Sequence, residues 1–108
     1  MQNLDAMNPI ISKNRTTLEA LCRKYKVARL DVFGSATRDE NPQPPRDVDF
    51  LVTFEACAPS EHYDRYFGLL EDLEALMDRK VDLVETSALK NPYFVQSIEQ
   101  SRQQVYAA

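Results

Sequence analysis

Two aspartates separated by one residue, Asp47 and Asp49, are the side chains of this sequence best suited to chemistry. They open the segment DVDFLVTF, whose alternating apolar residues predict a strand, so the two carboxylates project from the same face. Two like charges at this spacing are costly unless a cation joins them. Mg²⁺ suits this role because it prefers hard oxygen ligands and completes its shell with substrate phosphates. The pair therefore indicates a metal clamp, although a lone Asp-x-Asp is more often a strand terminus facing solvent.

A Gly-Ser pair, Gly34 and Ser35, directly follows the preceding predicted strand. Glycine lets a phosphate approach the backbone, and the exposed N–H groups and the serine hydroxyl are suitable donors, especially if GSATR begins a helical turn. Arg38 lies close behind, and its planar guanidinium matches phosphate oxygens, although an exposed arginine without that role is about equally expected. A lone Gly-Ser pair is usually only a turn. The aspartates that follow it in the sequence favour a phosphate-binding role for this pair.

A third carboxylate, Asp82, lies within the otherwise apolar segment VDLV, where an unpaired charge would be expensive to bury. If this segment forms a strand beside Asp49, three carboxylates can hold two ions, one polarising an acceptor hydroxyl and one neutralising a leaving pyrophosphate. The alternative is an edge strand on which Asp82 faces water.

The elements that position these residues follow from the hydrophobic periodicity. In chain order they are an amphipathic helix over TTLEALCRKYKV, a strand over ARLDVF, an exposed Pro-rich loop over 38–46, a strand over VDFLVTF, a long helix over 60–77, a strand over KVDLVE and a last helix from Pro92 that includes Val105. This order predicts one domain over residues 1–108, with 1–13 as a polar N-terminal leader. The expected fold class is α+β, a two-layer unit in which helices pack on a small mixed sheet.

The composition excludes several classes of protein. With 44% hydrophobic and 28% charged residues, the chain has no apolar run near the roughly 20 residues of a membrane span. Its start lacks the features of a signal peptide, so a cytoplasmic location is expected. The net charge of −4 argues against a broad basic surface for nucleic acid, and a small nucleotide is the expected ligand.

The cysteines and the histidine give no sign of a zinc site. Cys22 and Cys57 do not form a CxxC pair, and His62 has no companion at ligand spacing. Cys22 lies on the apolar stripe of the first helix, where an inert buried thiol is expected. Both cysteines are therefore interpreted as structural.

Taken together, Gly-Ser, a loop, Asp-x-Asp on the next strand and a later strand carboxylate resemble the DNA polymerase β-like nucleotidyltransferase superfamily. The short length and the run from DVFGSATR through RDVDFLV to KVDLVE resemble the minimal nucleotidyltransferases, or MntA-like antitoxins, which are paired with HEPN-domain toxins. This resemblance covers nearly the whole chain from the first helix onward. Two features depart from the usual pattern: the loop between Ser35 and Asp47 is one residue longer, and Arg46 replaces a small polar residue.

The resemblance implies a polymerase β-like nucleotidyltransferase fold with a catalytic site made of Asp47, Asp49 and Asp82. Asp47 and Asp49 would bind two Mg²⁺ ions, and Asp82 would support the metal at the acceptor. Characterised relatives transfer AMP from ATP to a tyrosine of the HEPN toxin and so silence its RNase activity. The implied function is thus an antitoxin that adenylylates a partner HEPN toxin and does not itself bind nucleic acid.

The same resemblance also implies which residues bind the phosphates of the substrate. It implies that Gly34 and Ser35 hold the β- and γ-phosphates of a nucleoside triphosphate and that Arg38 supports them.

Two other functions stay open. The chain is alternatively a binding module that occludes its toxin without catalysis, through exposed aromatic residues among Tyr63, Tyr66, Phe67, Tyr93 and Phe94, although such aromatics lie more often in a core. A transferase of the aminoglycoside type, acting on a small molecule, is the third possibility, but a chain of this length leaves no room for a second domain to hold that substrate.

Overall fold

Four strands and four helices build the fold, in a computed structural model that describes residues 8–37 and 46–108, without the side chains of Ser35 and Ala36. In chain order the elements are α1 (Pro9–Ser12), α2 (Arg15–Lys24), β1 (Val27–Phe33), a 3₁₀ helix (Gly34–Thr37), β2 (Asp47–Phe54), α3 (Pro59–Met77), β3 (Lys80–Glu85), a second 3₁₀ helix (Thr86–Ala88), α4 (Pro92–Ser101) and β4 (Gln103–Ala107). The three strands predicted from the sequence are confirmed, as is α3 as the longest helix.

The strands form one mixed sheet in the order β3-β2-β1-β4. β1 pairs antiparallel with both β2 and β4, whereas β2 and β3 run parallel. A parallel pair needs a crossover connection, and α3 supplies it between β2 and β3. The predicted small mixed sheet packed by helices is therefore confirmed, and β3 lies at one edge of it.

Helices cover both faces of the sheet. On one face, Val48, Phe50 and Val52 of β2 pack in a cluster that includes buried residues of α2 and α3, such as Leu18 and Leu69. On the other face, which we call the α4 face, a smaller cluster joins Phe33 of β1, Leu51 of β2 and Ile98 of α4. Because side chains alternate along a strand, residues two positions from Leu51 also project from the α4 face.

The N-terminal segment differs from the predicted polar leader in its described part. Residues Pro9–Ser12 form α1, and Ile10 and Ile11 are buried in the main core. Asn8 caps this helix by accepting a hydrogen bond of 3.1 Å from the Ile10 N–H. A single turn is too short to show helical periodicity, so only Asn8 as a cap and Pro9 at the first helical position signalled it.

The predicted extent of the last helix was wrong. α4 begins at Pro92, as expected, but it ends at Ser101, and residues Gln103–Ala107 form β4 against β1. Val105 is consequently a strand residue, buried against the sheet rather than on the helix. β4 buries only this one side chain, so the sequence of the strand gives little periodicity with which to recognise it.

Two further expectations concern individual residues and membranes. Cys22 is fully buried, and this burial raises the pKa of its thiol to about 12, in agreement with a structural role. Cys57 is partly buried and unpaired. Within the residues described, no helix is long and apolar enough to cross a membrane.

Candidate active site

Asp49 and Asp82 lie side by side on the α4 face of the sheet. They are partners in the parallel register of β2 and β3, in which Asp47 also pairs with Lys80. Asp47 begins β2, is exposed, and projects from the same face as Asp49. The structure thus brings two of the three predicted carboxylates into direct contact and places the third at the start of the same strand.

Asp82 is less buried than the sequence suggested. Its strand lies at the sheet edge, its side chain is 48% exposed, and Lys80 Nζ lies 3.9 Å from its Oδ1. The cost of burying a charge therefore falls on Asp49, which belongs to an inner strand. In this respect the alternative of an edge strand with Asp82 facing water is confirmed, although Asp82 still adjoins Asp49.

The electrostatics of the site centre on Asp49. Burial, a hydrogen bond with Asp82 and the charges of Asp82 and Asp47 together raise the pKa of Asp49 to about 6. Among the residues described, no three His, Cys, Asp or Glu side chains converge closely enough to form a ready metal site. The carboxylates are instead a mutually repelling group, whose charged forms a cation would stabilise.

Gly34 is packed against Asp49. It directly follows β1 and has a φ of +74°, and a Cβ built on it would lie 2.8 Å from Asp49 Oδ2. The Gly34 N–H donates to Ser101 Oγ at 2.9 Å, and Thr37 Oγ1 donates to the Gly34 carbonyl at 2.7 Å. A turn that only glycine can form without strain is therefore fixed at both ends beside the carboxylates.

Two cavities lie next to these residues. The first, of about 550 Å³, is lined by Asp49 and Asp82 together with apolar side chains of β1, β3, α3 and α4, including Phe33, Leu70 and Phe94. The second, of about 630 Å³, adjoins Gly34 and is lined mainly by polar residues from the end of α4 and the start of β4.

Comparison with known proteins places this arrangement in a family. Residues 15–105 match the model described as the nucleotidyltransferase domain. The chain belongs to this nucleotidyltransferase family. A Methanocaldococcus jannaschii protein with the provisional name protein adenylyltransferase is 36% identical over 100 residues, covering 93% of this chain and 95% of that protein. Protein adenylyltransferase MntA of Thermococcus cleftensis is 36% identical over 91 residues, covering 84% of this chain and 85% of that protein.

A solved structure shares the fold of this nucleotidyltransferase. It is described as a tri-AMPylated Shewanella oneidensis HEPN toxin in complex with MNT antitoxin. The match has a TM-score of 0.59 and 19% identity, and it covers 89% of this chain and 71% of the other. At that identity the likeness shows the fold alone.

The predicted nucleotide-binding residues are placed only in part. Gly34 begins the 3₁₀ helix Gly34–Thr37 and adjoins Asp49, and the backbone of Ser35 follows within that helix. Arg38 and most of the Pro-rich loop fall outside the described residues. The assignment of phosphates to Gly34, Ser35 and Arg38 stays a prediction.

Sequence reasoning missed an ion-pair network behind Gly34. Asp31 of β1 is fully buried, and Arg102, which follows α4, donates to its Oδ2 from Nε at 2.8 Å and also from Nη2. Arg29 Nε lies 3.0 Å from Asp31 Oδ1, and Arg102 also binds Glu99. An aspartate within the apolar strand ARLDVF was the available signal, and it is the same signal that drew attention to Asp82.

Substituting Gly34 by alanine tests the packing of the turn. The added Cβ would collide with Asp49 Oδ2, and a positive φ costs a non-glycine residue about 1–2 kcal/mol. We expect Gly34→Ala to lower nucleotidyl transfer about a hundredfold, since a displacement of about 1 Å has that effect. Steady-state kinetics measure this. Gly68→Ala is the matched control, because its Cβ would meet the Tyr25 ring at 2.5 Å and no carboxylate. Equal losses of activity in both variants would show that the Gly34 turn has no specific role beside Asp49.

The raised pKa of Asp49 predicts a dependence of stability on pH. Its folded value of about 6 exceeds the ordinary 3.8. Between these values the folded state keeps a proton that the unfolded state has lost, so the contribution of Asp49 to stability falls as pH rises and stays unfavourable above about 6. In EDTA, we expect Asp49→Asn to melt higher than wild type at about pH 7 but not at about pH 4. Melting curves of both proteins at the two pH values test this. The same difference in melting temperature between Asp49→Asn and wild type at both pH values would contradict the prediction.

Proposed function

We propose that this nucleotidyltransferase moves AMP from ATP to a tyrosine hydroxyl of a HEPN-domain partner, in the cytoplasm and with Mg²⁺, and so acts as the antitoxin of that partner. One observation carries the proposal: Asp49 and Asp82 lie side by side, with the Gly34 backbone against Asp49. Its choice of nucleotide and target is supported by relatives named protein adenylyltransferase and by a fold shared with a chain from an AMPylated HEPN toxin complex.

The carboxylate group fits the proposed metal. A dication beside Asp49 would offset the burial and repulsion that raise the pKa of this side chain, and Mg²⁺ needs only one or two carboxylates when phosphates complete its shell. Asp47, Asp49 and Asp82 are the residues that would hold it. When bound, Mg²⁺ neutralises charge on the triphosphate and polarises the acceptor hydroxyl.

The residues of this chain would act mainly by positioning. The turn at Gly34 and Ser35 would hold the β- and γ-phosphates, with Arg38 in support. The acceptor oxygen then forms a bond to the α-phosphorus, the bond from that phosphorus to the bridging oxygen breaks, and pyrophosphate leaves with the electron pair. The hydroxyl proton passes to solvent. Most of the rate enhancement would come from alignment and charge stabilisation.

An alternative, stoichiometric occlusion of the partner, is favoured by a different observation. Four large aromatic side chains are between 43% and 81% exposed, namely Tyr63, Phe67, Tyr93 and Phe94. Exposed aromatics of this kind are enriched where proteins bind one another. Binding of the partner through these aromatic side chains would also serve catalysis. Occlusion and adenylyl transfer therefore differ in whether neutralisation of the partner needs the carboxylates.

The test uses a HEPN-domain protein as the acceptor. This protein is incubated with the chain, ATP and Mg²⁺, and is then weighed intact by mass spectrometry. We expect one or more AMP adducts with wild type and with the control Asp64→Asn, an exposed aspartate of α3, and none with Asp49→Asn. Absence of any adduct with wild type would reject the transferase proposal. Full protection of cells against the HEPN-domain protein by the Asp49→Asn variant would favour occlusion.

A further inference from the structure

The first cavity beside the carboxylates has a lining suited to an aromatic ring. We propose that it receives the side chain of the acceptor, so that its walls select an aromatic alcohol over an aliphatic one. We call it the acceptor cavity, lined by Asp49, Asp82, Phe33, Leu70, Val84 and Phe94 among others. This inference rests on the proposed function and adds to it the residues that choose the acceptor.

The cavity lies on the side of the carboxylates from which the acceptor hydroxyl is expected to attack. The attacking and leaving oxygens lie roughly in line across the transferred phosphorus. Asp49 has Phe33 of β1 and the following Gly34 on one side, and Asp82 of β3 on the other. If the leaving phosphates rest on the Gly34 turn, the attacking hydroxyl arrives from the side of Asp82. The acceptor cavity is the one of the two described cavities that Asp82 lines.

The lining of the cavity identifies the class of acceptor. Phe33 and Phe94 form one wall on the α4 face, with ring centroids 6.3 Å apart in an edge-to-face arrangement, and Val84 of β3 packs in the same cluster as Phe33. The Tyr66 hydroxyl, also at this cavity, already donates to the Leu83 carbonyl at 2.7 Å. An apolar wall of this kind binds a ring, whereas a sugar would need several hydrogen-bonding partners there.

The volume and the polar groups agree with this assignment. The cavity, of about 550 Å³, has room for an aromatic side chain. The two carboxylates lie on this lining, so the hydroxyl of a bound ring can meet them while its carbon atoms contact the apolar wall. Phe94 is 43% exposed and therefore stands at the mouth of the cavity, where a substitution is tolerated by the core.

The experiment separates recognition of the ring from docking elsewhere. The HEPN-domain protein is prepared with its modified tyrosine replaced by phenylalanine or by alanine, and the dissociation constant of each form is measured by calorimetry with a nonhydrolysable ATP analogue. The ratio of the two constants reports the ring alone, because contacts made elsewhere cancel. For the wild-type chain, we expect the phenylalanine form of the HEPN-domain protein to bind about tenfold more tightly than the alanine form.

Variants of the chain then locate the ring. Phe94→Ala, which removes part of the wall, and Val84→Trp, which adds a large ring beside Asp82 on the α4 face, should each bring the ratio close to one. The matched control is Tyr93→Ala, since Tyr93 is adjacent, 81% exposed and outside the lining; it should keep the wild-type ratio. Ratios unchanged in Phe94→Ala and Val84→Trp, with the AMP adduct still formed, would overturn this inference and leave the proposed function intact. If wild type forms no adduct, both fail.

Discussion

Replacing Asp49 by asparagine is expected to lower the rate of nucleotidyl transfer by about 10²–10³-fold or more, the loss seen when a group that stabilises transition-state charge is removed. Asp49 is the carboxylate that Asp82, Asp47 and the Gly34 turn all approach. Asparagine keeps the shape of the side chain but removes the charge that would bind Mg²⁺. Transfer rates at saturating ATP and Mg²⁺ measure the effect.

The control for this substitution distinguishes chemistry from folding. Asp49→Asn should melt at least as high as wild type near neutral pH in EDTA, because it relieves the repulsion that raises the pKa of Asp49. Loss of activity together with retained stability would locate the effect in the site. A rate within about tenfold of wild type would show that Asp49 is not central to the reaction.

Replacing Arg102 by alanine is expected to cost about 3 kcal/mol of unfolding free energy, at the lower end of the range for breaking a buried ion pair. Arg102 donates twice to Asp31, whose side chain is only 1% exposed, so its removal leaves a poorly compensated buried charge. Arg29 would still lie beside Asp31, which keeps the loss from being larger. Urea unfolding followed by circular dichroism measures the difference.

Two comparisons make the Arg102 prediction specific. Arg29→Ala should cost no more than about 1 kcal/mol, because the Arg29 side chain is 45% exposed and solvent screens its pair with Asp31. Adding Asp31→Asn to Arg102→Ala should recover part of the loss, since no buried charge is then left unpaired. Similar losses for Arg29→Ala and Arg102→Ala would contradict the role assigned to Arg102.

Local patterns were sufficient to predict the centre of the fold. β2 carries a period-two alternation over its whole length, and α3 repeats apolar residues at helical spacing, so both were recognised in isolation. Gly34, Asp47, Asp49 and Asp82 were singled out because each interrupts or ends such a pattern. The sequence made the meeting of Asp49 and Asp82 conditional on the two strands being neighbours, and the parallel register of β2 and β3 joins them.

The features that the sequence did not predict depend on contacts between distant residues. Arg102 lies between α4 and β4 and donates a hydrogen bond to Asp31, which is 71 positions away in the chain. The Gly34 N–H likewise meets Ser101, 67 positions away. The exposure of Asp82 depends on the order of strands, and the acceptor cavity on how α3 and α4 meet the sheet. No periodicity within one segment encodes these relations.

A crystal structure with a nonhydrolysable ATP analogue and Mn²⁺, located by its anomalous signal, would show where the metal and the phosphates bind. We expect a metal peak within coordination distance of Asp49, in the range of about 2.0–2.2 Å typical of hard oxygen ligands. We also expect that the β- and γ-phosphates lie on the backbone of Gly34 and Ser35 and that the acceptor cavity stays free of nucleotide. A metal bound away from Asp49, or phosphates bound away from the Gly34 turn, would contradict the proposed site.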